Sequence, residues 1–142
     1  MFFQGIDHIG WVTKDIELFE QFWCDVLGYE RVKSNEAPVE MMNTLFGTQG
    51  ATINRYQHPT EERGPDLEIH YFPDDGERED MPFSRYGINH ICLLVGGKGS
   101  RDEFLSQLPK RVKCHVYNNP GGWQNIFIKD YEGNWVELRE WM

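Results

Sequence analysis

The tetrapeptide Ile6-Asp7-His8-Ile9 near the start of the chain returns 82 positions later as Ile88-Asn89-His90-Ile91. The closing segments of the two halves also match, since Leu67-Glu68-Ile69 corresponds to Val136-Glu137-Leu138. Each half therefore has a histidine in a short apolar run near its beginning and a glutamate between two apolar residues near its end. Internal repetition of this kind predicts two copies of one supersecondary unit.

Hydrophobic periodicity predicts the same order of elements in both halves: a strand, a helix and then about three strands. Asp15 is placed to cap the first helix, and Ser100 with Glu103 has the pattern of a capping box for the helix of the second half. Residues 39–46 favour an additional short helix, with a strand as the alternative. The predicted strands cover residues 5–13, 29–34, 51–57 and 66–72 in the first half and 88–95, 112–117, 123–129 and 134–141 in the second.

The sequence thus predicts an α+β fold in which two βαβββ modules form a curved, mostly antiparallel sheet. A chain of 142 residues has the size of one ordinary domain, or of two small modules that share a core. We expect a single domain over residues 1–142, with module one at 1–72 and module two at 88–142. The linker between them, residues 73–87, is polar, acidic and rich in proline and glycine.

Composition restricts the partners and the cellular location. The formal net charge of −9 disfavours nucleic acid, because binding to phosphate backbones needs clustered lysine and arginine. No apolar run has the roughly 20 residues that cross a bilayer, and the first residues lack signal-peptide features, so we expect a cytoplasmic protein without membrane contact. Cys24, Cys92 and Cys114 are widely spaced, and we expect them to be reduced and buried.

Strand alternation and the internal repeat together predict a metal-binding site. Side chains two residues apart share one face of a strand, so Glu68 and Glu137 face away from their apolar neighbours, either toward solvent or toward a polar cavity. The recurrence of the pattern favours the cavity. If the two copies pair about a pseudo-twofold axis, His8, Glu68, His90 and Glu137 converge, and nitrogen and oxygen ligands of this kind suit a divalent transition metal.

The chain resembles the vicinal-oxygen-chelate superfamily, which contains glyoxalase I, bleomycin-resistance proteins and extradiol dioxygenases. The resemblance covers nearly the whole chain and includes the D-x-x-G-N turn of the family before the last glutamate. It rests on Ile6-Asp7-His8-Ile9-Gly10, the segment 22–29, Leu67-Glu68-Ile69, Ile88-Asn89-His90-Ile91 and the segment 129–138. The resemblance implies a glyoxalase-like fold whose paired modules hold a metal.

The resemblance also implies a ligand set and a reaction class. His8, Glu68, His90 and Glu137 match the four ligand positions of the metalloenzymes, so one divalent metal per site (Ni, Co, Zn, Mn or Fe) is expected. The expected reaction is that of a lyase, isomerase or epimerase, in which Glu137 or Glu68 abstracts a proton and a metal-bound enediolate forms. The alternatives are an Fe(II) extradiol-type dioxygenase and a non-enzymatic ligand-binding or resistance protein.

Three further residues are candidates for binding a small-molecule substrate. Arg139 and Arg55 suit a substrate carboxylate because arginine holds carboxylates in bidentate fashion, although surface strand arginines are the alternative. His70 shares a strand face with Glu68 and is either a substrate contact, a support for that ligand or a partly exposed histidine. The resemblance further implies a homodimer, and it leaves open whether the site forms within one chain or between two.

Overall fold

The structure, a computed structural model, describes residues 6–48, 50–59, 64–73, 87–97, 99–118, 120–122 and 124–140. The chain divides into two compact units, residues 1–77 and 78–142. Most of the predicted linker, residues 74–86, lies outside the described residues. In the described part of the chain, every helix is too short or too polar to cross a lipid bilayer.

In its described residues, the first unit is a four-stranded mixed sheet with two helices. In the sheet order β1-β4-β3-β2, β1 is parallel to β4 and the other neighbours are antiparallel. This is the predicted strand–helix–three-strand unit, with the predicted short helix inserted before β3. The elements are β1 (His8–Thr13), α1 (Ile16–Trp23), β2 (Glu30–Glu36), α2 (Val39–Phe46), β3 (Thr52–Gln57) and β4 (Asp66–Tyr71).

Aromatic packing joins α1 to one face of this sheet. The helix begins where Asp15 accepts a hydrogen bond from the backbone N–H of Leu18 at 3.0 Å, as expected of an N-cap aspartate. Phe19, Phe22 and Trp23 of α1 are almost completely buried. They pack with aromatic side chains of the strands, and the Phe19 and Tyr56 ring centroids are 4.9 Å apart. One face of the sheet is therefore core, and the other carries polar side chains.

In its described residues, the second unit repeats the arrangement with one helix. Its sheet has the order β5-β8-β7-β6, again with one parallel pair, β5 and β8. The core-facing side chains of β7 and β8, Ile126, Ile128, Val136 and Leu138, are at most 1% exposed. The elements are β5 (His90–Val95), α3 (Ser100–Gln107), β6 (Cys114–Asn118), β7 (Gln124–Lys129) and β8 (Trp135–Glu140). The predicted α+β fold with two repeated modules is confirmed.

A buried aspartate builds the turn between β7 and β8. Asp130 Oδ1 accepts hydrogen bonds from the backbone N–H groups of Glu132 and Asn134, at 3.0 and 2.7 Å, and its Oδ2 accepts one from the Asn134 side chain at 2.8 Å. Gly133 has φ +88°, a left-handed conformation that favours glycine. The D-x-x-G-N sequence is thus a self-bonded turn that fixes the start of the strand carrying Glu137.

Two local predictions were wrong. The helix α3 has Gly99 at its N-cap, in a left-handed conformation, and Ser100 is already its first residue without a side-chain capping bond. Cys92 and Cys114 are exposed, because Cys92 shares the polar face of β5 with His90 and Cys114 lies on the edge strand β6, where every residue is exposed. All three cysteines are free thiols, as expected.

Candidate metal centre

The first unit places His8 and Glu68 on the same face of adjacent parallel strands. In the β1–β4 register Gly10 lies directly opposite Glu68. His8 precedes Gly10 by two residues, so its side chain projects from the same face of the sheet as that of Glu68. His8 Nε2 lies 3.6 Å from Glu68 Oε1. Both side chains are partly exposed. The predicted pair is therefore assembled on the polar face, opposite the aromatic core.

The second unit places His90 and Glu137 in the same relationship. Cys92 lies opposite Glu137 in the β5–β8 register, as Gly10 lies opposite Glu68. His90 Nε2 lies 3.4 Å from Glu137 Oε2, and the two side chains are 30% and 17% exposed. Two histidine–glutamate pairs of nearly equal geometry thus recur at equivalent positions of the two sheets.

Charged side chains surround the pair of the first unit. Arg55 of β3 lies directly opposite Glu68, and its Nη2 is 3.6 Å from Glu68 Oε2. The same guanidinium is 2.9 Å from Asp7 and 3.6 Å from Asp66. His70 Nε2 lies 3.1 Å from Glu68 Oε1. Arg55 and His70, predicted to bind substrate, therefore both contact a predicted metal ligand.

Aromatic side chains surround the pair of the second unit instead. Phe127 of β7 takes the position opposite Glu137 that Arg55 takes opposite Glu68. Its ring centroid is 5.4 Å from that of His90 and 6.2 Å from that of Trp135. Lys129 Nζ lies 4.6 Å from the centroid of the Trp135 ring. The two histidine–glutamate pairs therefore have different neighbours, which are charged in the first unit and mainly aromatic in the second.

The residue before each histidine makes a contact that the sequence reasoning missed. Asp7 Oδ2 lies 2.8 Å from His8 Nδ1, and Asn89 Oδ1 lies 2.6 Å from His90 Nδ1. The hydrogen bonds from His8 and Arg55 hold the pKa of Asp7 below its ordinary value of 3.8. The repeat itself carried the signal, because both copies have a side-chain oxygen directly before the histidine.

Cys92 is a third residue beside the two pairs that the sequence reasoning missed. Although Cys92 is exposed as a residue, partial burial of its thiol, and then the adjacent negative charge of Glu137 and a hydrogen bond to it, raise the pKa of Cys92 to about 11. Arg139, the third predicted substrate-binding residue, is exposed and has the opposite effect on this pKa. Arg139 occurs two residues after Glu137 in β8 and so shares its face.

Each unit by itself offers two of the four predicted ligands. In the described ranges of the chain, no group of three or more His, Cys, Asp or Glu side chains is arranged to hold a metal ion.

Comparison with known proteins identifies the family. The model of the Glyoxalase/Bleomycin resistance protein/Dioxygenase superfamily matches residues 5–138. The chain belongs to this superfamily, which confirms the resemblance seen in the sequence. A search of curated proteins finds no match.

Solved structures share the fold at low sequence identity. A glyoxalase family protein from Bacillus cereus is 17% identical with a TM-score of 0.74, and the match covers 97% of this chain and 94% of that one. The trypanothione-dependent glyoxalase I of Leishmania major is also 17% identical, with a TM-score of 0.67 and coverage of 96% and 86%. A variant of the fosfomycin resistance protein FosX from Listeria monocytogenes, complexed with Mn(II) and 1S,2S-dihydroxypropylphosphonic acid, is 17% identical with a TM-score of 0.66 and coverage of 97% and 93%.

Proposed function

We propose that this protein is a divalent-metal enzyme that catalyses proton transfer on a small substrate with two neighbouring oxygen atoms. His8 and Glu68 from the first unit and His90 and Glu137 from the second bind one transition-metal ion. The two pairs come from one chain or from two chains of a homodimer. The observation that carries the proposal is the recurrence of a histidine–glutamate pair at equivalent positions of both sheets, with N···O separations of 3.6 and 3.4 Å.

These separations fit two ligands of one ion. Zn–N and Zn–O bonds are about 2.0–2.2 Å long, so two ligands at octahedral or tetrahedral angles are about 3.0–3.5 Å apart. The separation in the second unit lies in this range, and that in the first is close to it. Two imidazoles and two carboxylates are also a chemically suitable donor set for Ni, Co, Zn, Mn or Fe. Among proteins of this fold, the FosX variant is complexed with Mn(II), which is consistent with the proposal.

The reaction depends on a carboxylate that accepts a proton. A bound divalent ion supplies Lewis-acid polarisation of a substrate carbonyl, which acidifies the neighbouring C–H group. Glu137 is the preferred base, because Glu68 is already engaged by Arg55 and by His70 at 3.1 Å. Glu137 takes the proton and returns it to the same or the neighbouring carbon, giving epimerisation or isomerisation. Glu68 is the alternative base.

Two arginines, one on the face of each pair, are candidates for binding an anionic end of the substrate. Arg55 would hold a substrate carboxylate only by giving up one of its contacts with Asp7, Asp66 or Glu68. Arg139 is exposed and shares the Glu137 face, so it can bind an anionic group without that exchange. We therefore propose Arg139 as the first anion-binding residue and Arg55 and His70 as supports of Glu68 that also reach the substrate.

Metal content per chain is the first test, measured by elemental mass spectrometry on purified protein. We expect about one nickel, cobalt, zinc or manganese ion per site in the wild type and its loss in His8→Ala. His58→Ala is the control, because this exposed histidine contacts Leu27 and Tyr29 rather than either histidine–glutamate pair and should leave the metal content unchanged. Iron lost in the same way would favour the dioxygenase. The absence of bound metal after incubation with divalent ions would reject both enzyme hypotheses. The non-enzymatic ligand-binding protein would then be the remaining alternative.

Proton transfer is tested separately with the metal-loaded protein in D₂O. We expect deuterium to enter small α-hydroxycarbonyl compounds at the carbon next to the carbonyl, as followed by NMR. Glu137→Gln should abolish the exchange, and Arg139→Met should raise KM for anionic compounds more than for neutral ones. Metal binding without exchange on any such compound would contradict the proton-transfer reaction.

A further inference from the structure

The two histidines of the candidate centre share a hydrogen-bond arrangement on the side of the ring away from the glutamate. His8 has Nε2 toward Glu68 and Nδ1 at 2.8 Å from the carboxylate of Asp7. His90 has Nε2 toward Glu137 and Nδ1 at 2.6 Å from the side-chain oxygen of Asn89. In both units an oxygen from the preceding residue meets the ring nitrogen that faces away from the glutamate.

A neutral imidazole carries one proton on one of its two nitrogens. A nitrogen that binds a metal must present a lone pair, so the proton must then sit on the other nitrogen, which needs an acceptor. The oxygens of Asp7 and Asn89 are such acceptors for Nδ1. We propose that Asp7 and Asn89 are positioning residues that hold His8 and His90 in the Nδ1–H tautomer and leave Nε2 able to bind the metal. This inference rests on the proposed metal site.

In the first unit, Arg55 places a hydrogen-bond donor beside Nδ1 of the histidine. Its Nη2 lies 2.7 Å from His8 Nδ1 as well as 2.9 Å from Asp7 Oδ2. A guanidinium only donates and a carboxylate only accepts, so the proton on Nδ1 decides which contact is a hydrogen bond. The proposal requires that Nδ1–H donates to Asp7 and that Arg55 donates to the same carboxylate, so that the 2.7 Å contact between Arg55 Nη2 and His8 Nδ1 is not a hydrogen bond. Without Asp7, Arg55 would donate to Nδ1 and force the proton onto Nε2, the nitrogen required for the metal.

At the place equivalent to that of Arg55, the second unit has a phenylalanine. Phe127 stands opposite Glu137 where Arg55 stands opposite Glu68, and its ring offers no comparable donor to His90. Loss of Asn89 should therefore weaken the preference of His90 for the Nδ1–H tautomer without reversing it. Loss of Asp7 should reverse the preference of His8. The proposal thus predicts a larger effect in the first unit.

The tautomers of His8 and His90 can be measured by NMR in the absence of metal. In protein with ¹⁵N-labelled histidine, long-range ¹H–¹⁵N correlations distinguish Nδ1–H from Nε2–H at a pH about two units above the ordinary histidine pKa of about 6.5. We expect Nδ1–H for His8 and His90 in the wild type and in Asp7→Asn, which keeps an oxygen acceptor. Asp7→Ala should shift His8 to Nε2–H, and Asp7→Ala with Arg55→Met should restore part of the Nδ1–H form.

Metal affinity provides the second measurement. Changes in residues that orient metal-binding histidines weaken affinity about 10- to 100-fold. We expect such a loss in Asp7→Ala, a smaller one in Asn89→Ala and little change in Asp7→Asn. Asp25→Ala is the control, because it removes an exposed negative charge outside the candidate centre. Asp7→Asn also guards against misfolding, since it nearly preserves side-chain volume.

Two results would overturn the inference while leaving the proposed function intact. One is an Nε2–H tautomer for His8 or His90 in the wild type together with normal metal binding. The other is an unchanged His8 tautomer and unchanged metal affinity in Asp7→Ala. Conversely, a wild type with the expected tautomers that binds no divalent metal would reject the proposed function and, with it, the role of these tautomers in binding.

Discussion

Cys92 lies directly opposite Glu137 in the parallel β5–β8 pair, and the negative charge of that carboxylate contributes to the raised pKa of the thiol. The first unit has Gly10 at the equivalent position opposite Glu68. Burial is the main cause that raises the pKa of Cys92 from 9.0 to about 11, and Glu137 adds to it. The thiol therefore reports the charge of the carboxylate that we propose as the catalytic base.

Glu137→Gln should accelerate alkylation of Cys92. The neutral amide removes the negative charge that raises the pKa, so the thiolate fraction at about pH 8 increases, and this gain exceeds the loss of nucleophilicity that accompanies a lower pKa. The measurement is the rate of iodoacetamide modification in a Cys24→Ser, Cys114→Ser background that leaves Cys92 as the single thiol. Glu103→Gln, on the exposed side of α3, should leave this rate unchanged. Equal rates in both variants would contradict the electrostatic link.

Asp130→Ala should destabilise the second unit by about 1–3 kcal/mol, because it leaves turn N–H groups without their acceptor. Asp130 is only 6% exposed and accepts from Glu132 and Asn134. The measurement is urea unfolding followed by circular dichroism. Asp130→Asn keeps one side-chain oxygen and should cost less than the alanine variant. If the alanine variant unfolds at the wild-type urea concentration, the turn does not depend on these bonds.

The repeat predicted the fold and the two histidine–glutamate pairs because both are local properties of strands. Period-two alternation places Glu68 and Glu137 opposite their apolar neighbours whatever the rest of the chain does. The same alternation, applied to His90, also places Cys92 on the polar face, so its exposure was predictable from the sequence. The average behaviour of cysteine predicts burial instead, but the position of Cys92 on the strand face decides its exposure.

Other features depend on register, which the sequence does not state. Arg55 meets Asp7, 48 positions earlier, only because β4 pairs with both β1 and β3 in a particular alignment. The N-terminus of α3 also depends on a contact between distant parts of the sequence. Gly99 takes a left-handed conformation and its N–H donates to Glu140 of β8, a tertiary contact that replaces the capping bond expected from Ser100.

Stability should fall between pH 9 and about 11 through Cys24, whose pKa is raised from 9.0 to about 11 by burial and then by Glu20 and Asp25. In this window the unfolded chain has lost the thiol proton and the folded chain still binds it. The free energy of unfolding therefore decreases as pH rises. The contribution is fully present below pH 9. Cys24→Ala lacks the group, so the difference in unfolding free energy between wild type and variant should shrink from pH 8 to pH 11. A constant difference would contradict the linkage.

Tyr56→Phe should destabilise the first unit by about 1–3 kcal/mol, since a hydrogen bond to a charged group is lost inside the core. Tyr56 is fully buried, and its hydroxyl donates to Glu20 at 2.8 Å and accepts from the side chain of Asn54 at 3.3 Å. The aromatic ring is kept, so packing against Phe19 should persist. Guanidinium unfolding monitored by tryptophan fluorescence measures the change. Tyr117→Phe, on the exposed edge strand β6, is the matched control and should unfold at the wild-type concentration. Equal midpoints for the two variants would show that the buried hydroxyl contributes nothing to the packing of α1 against β3.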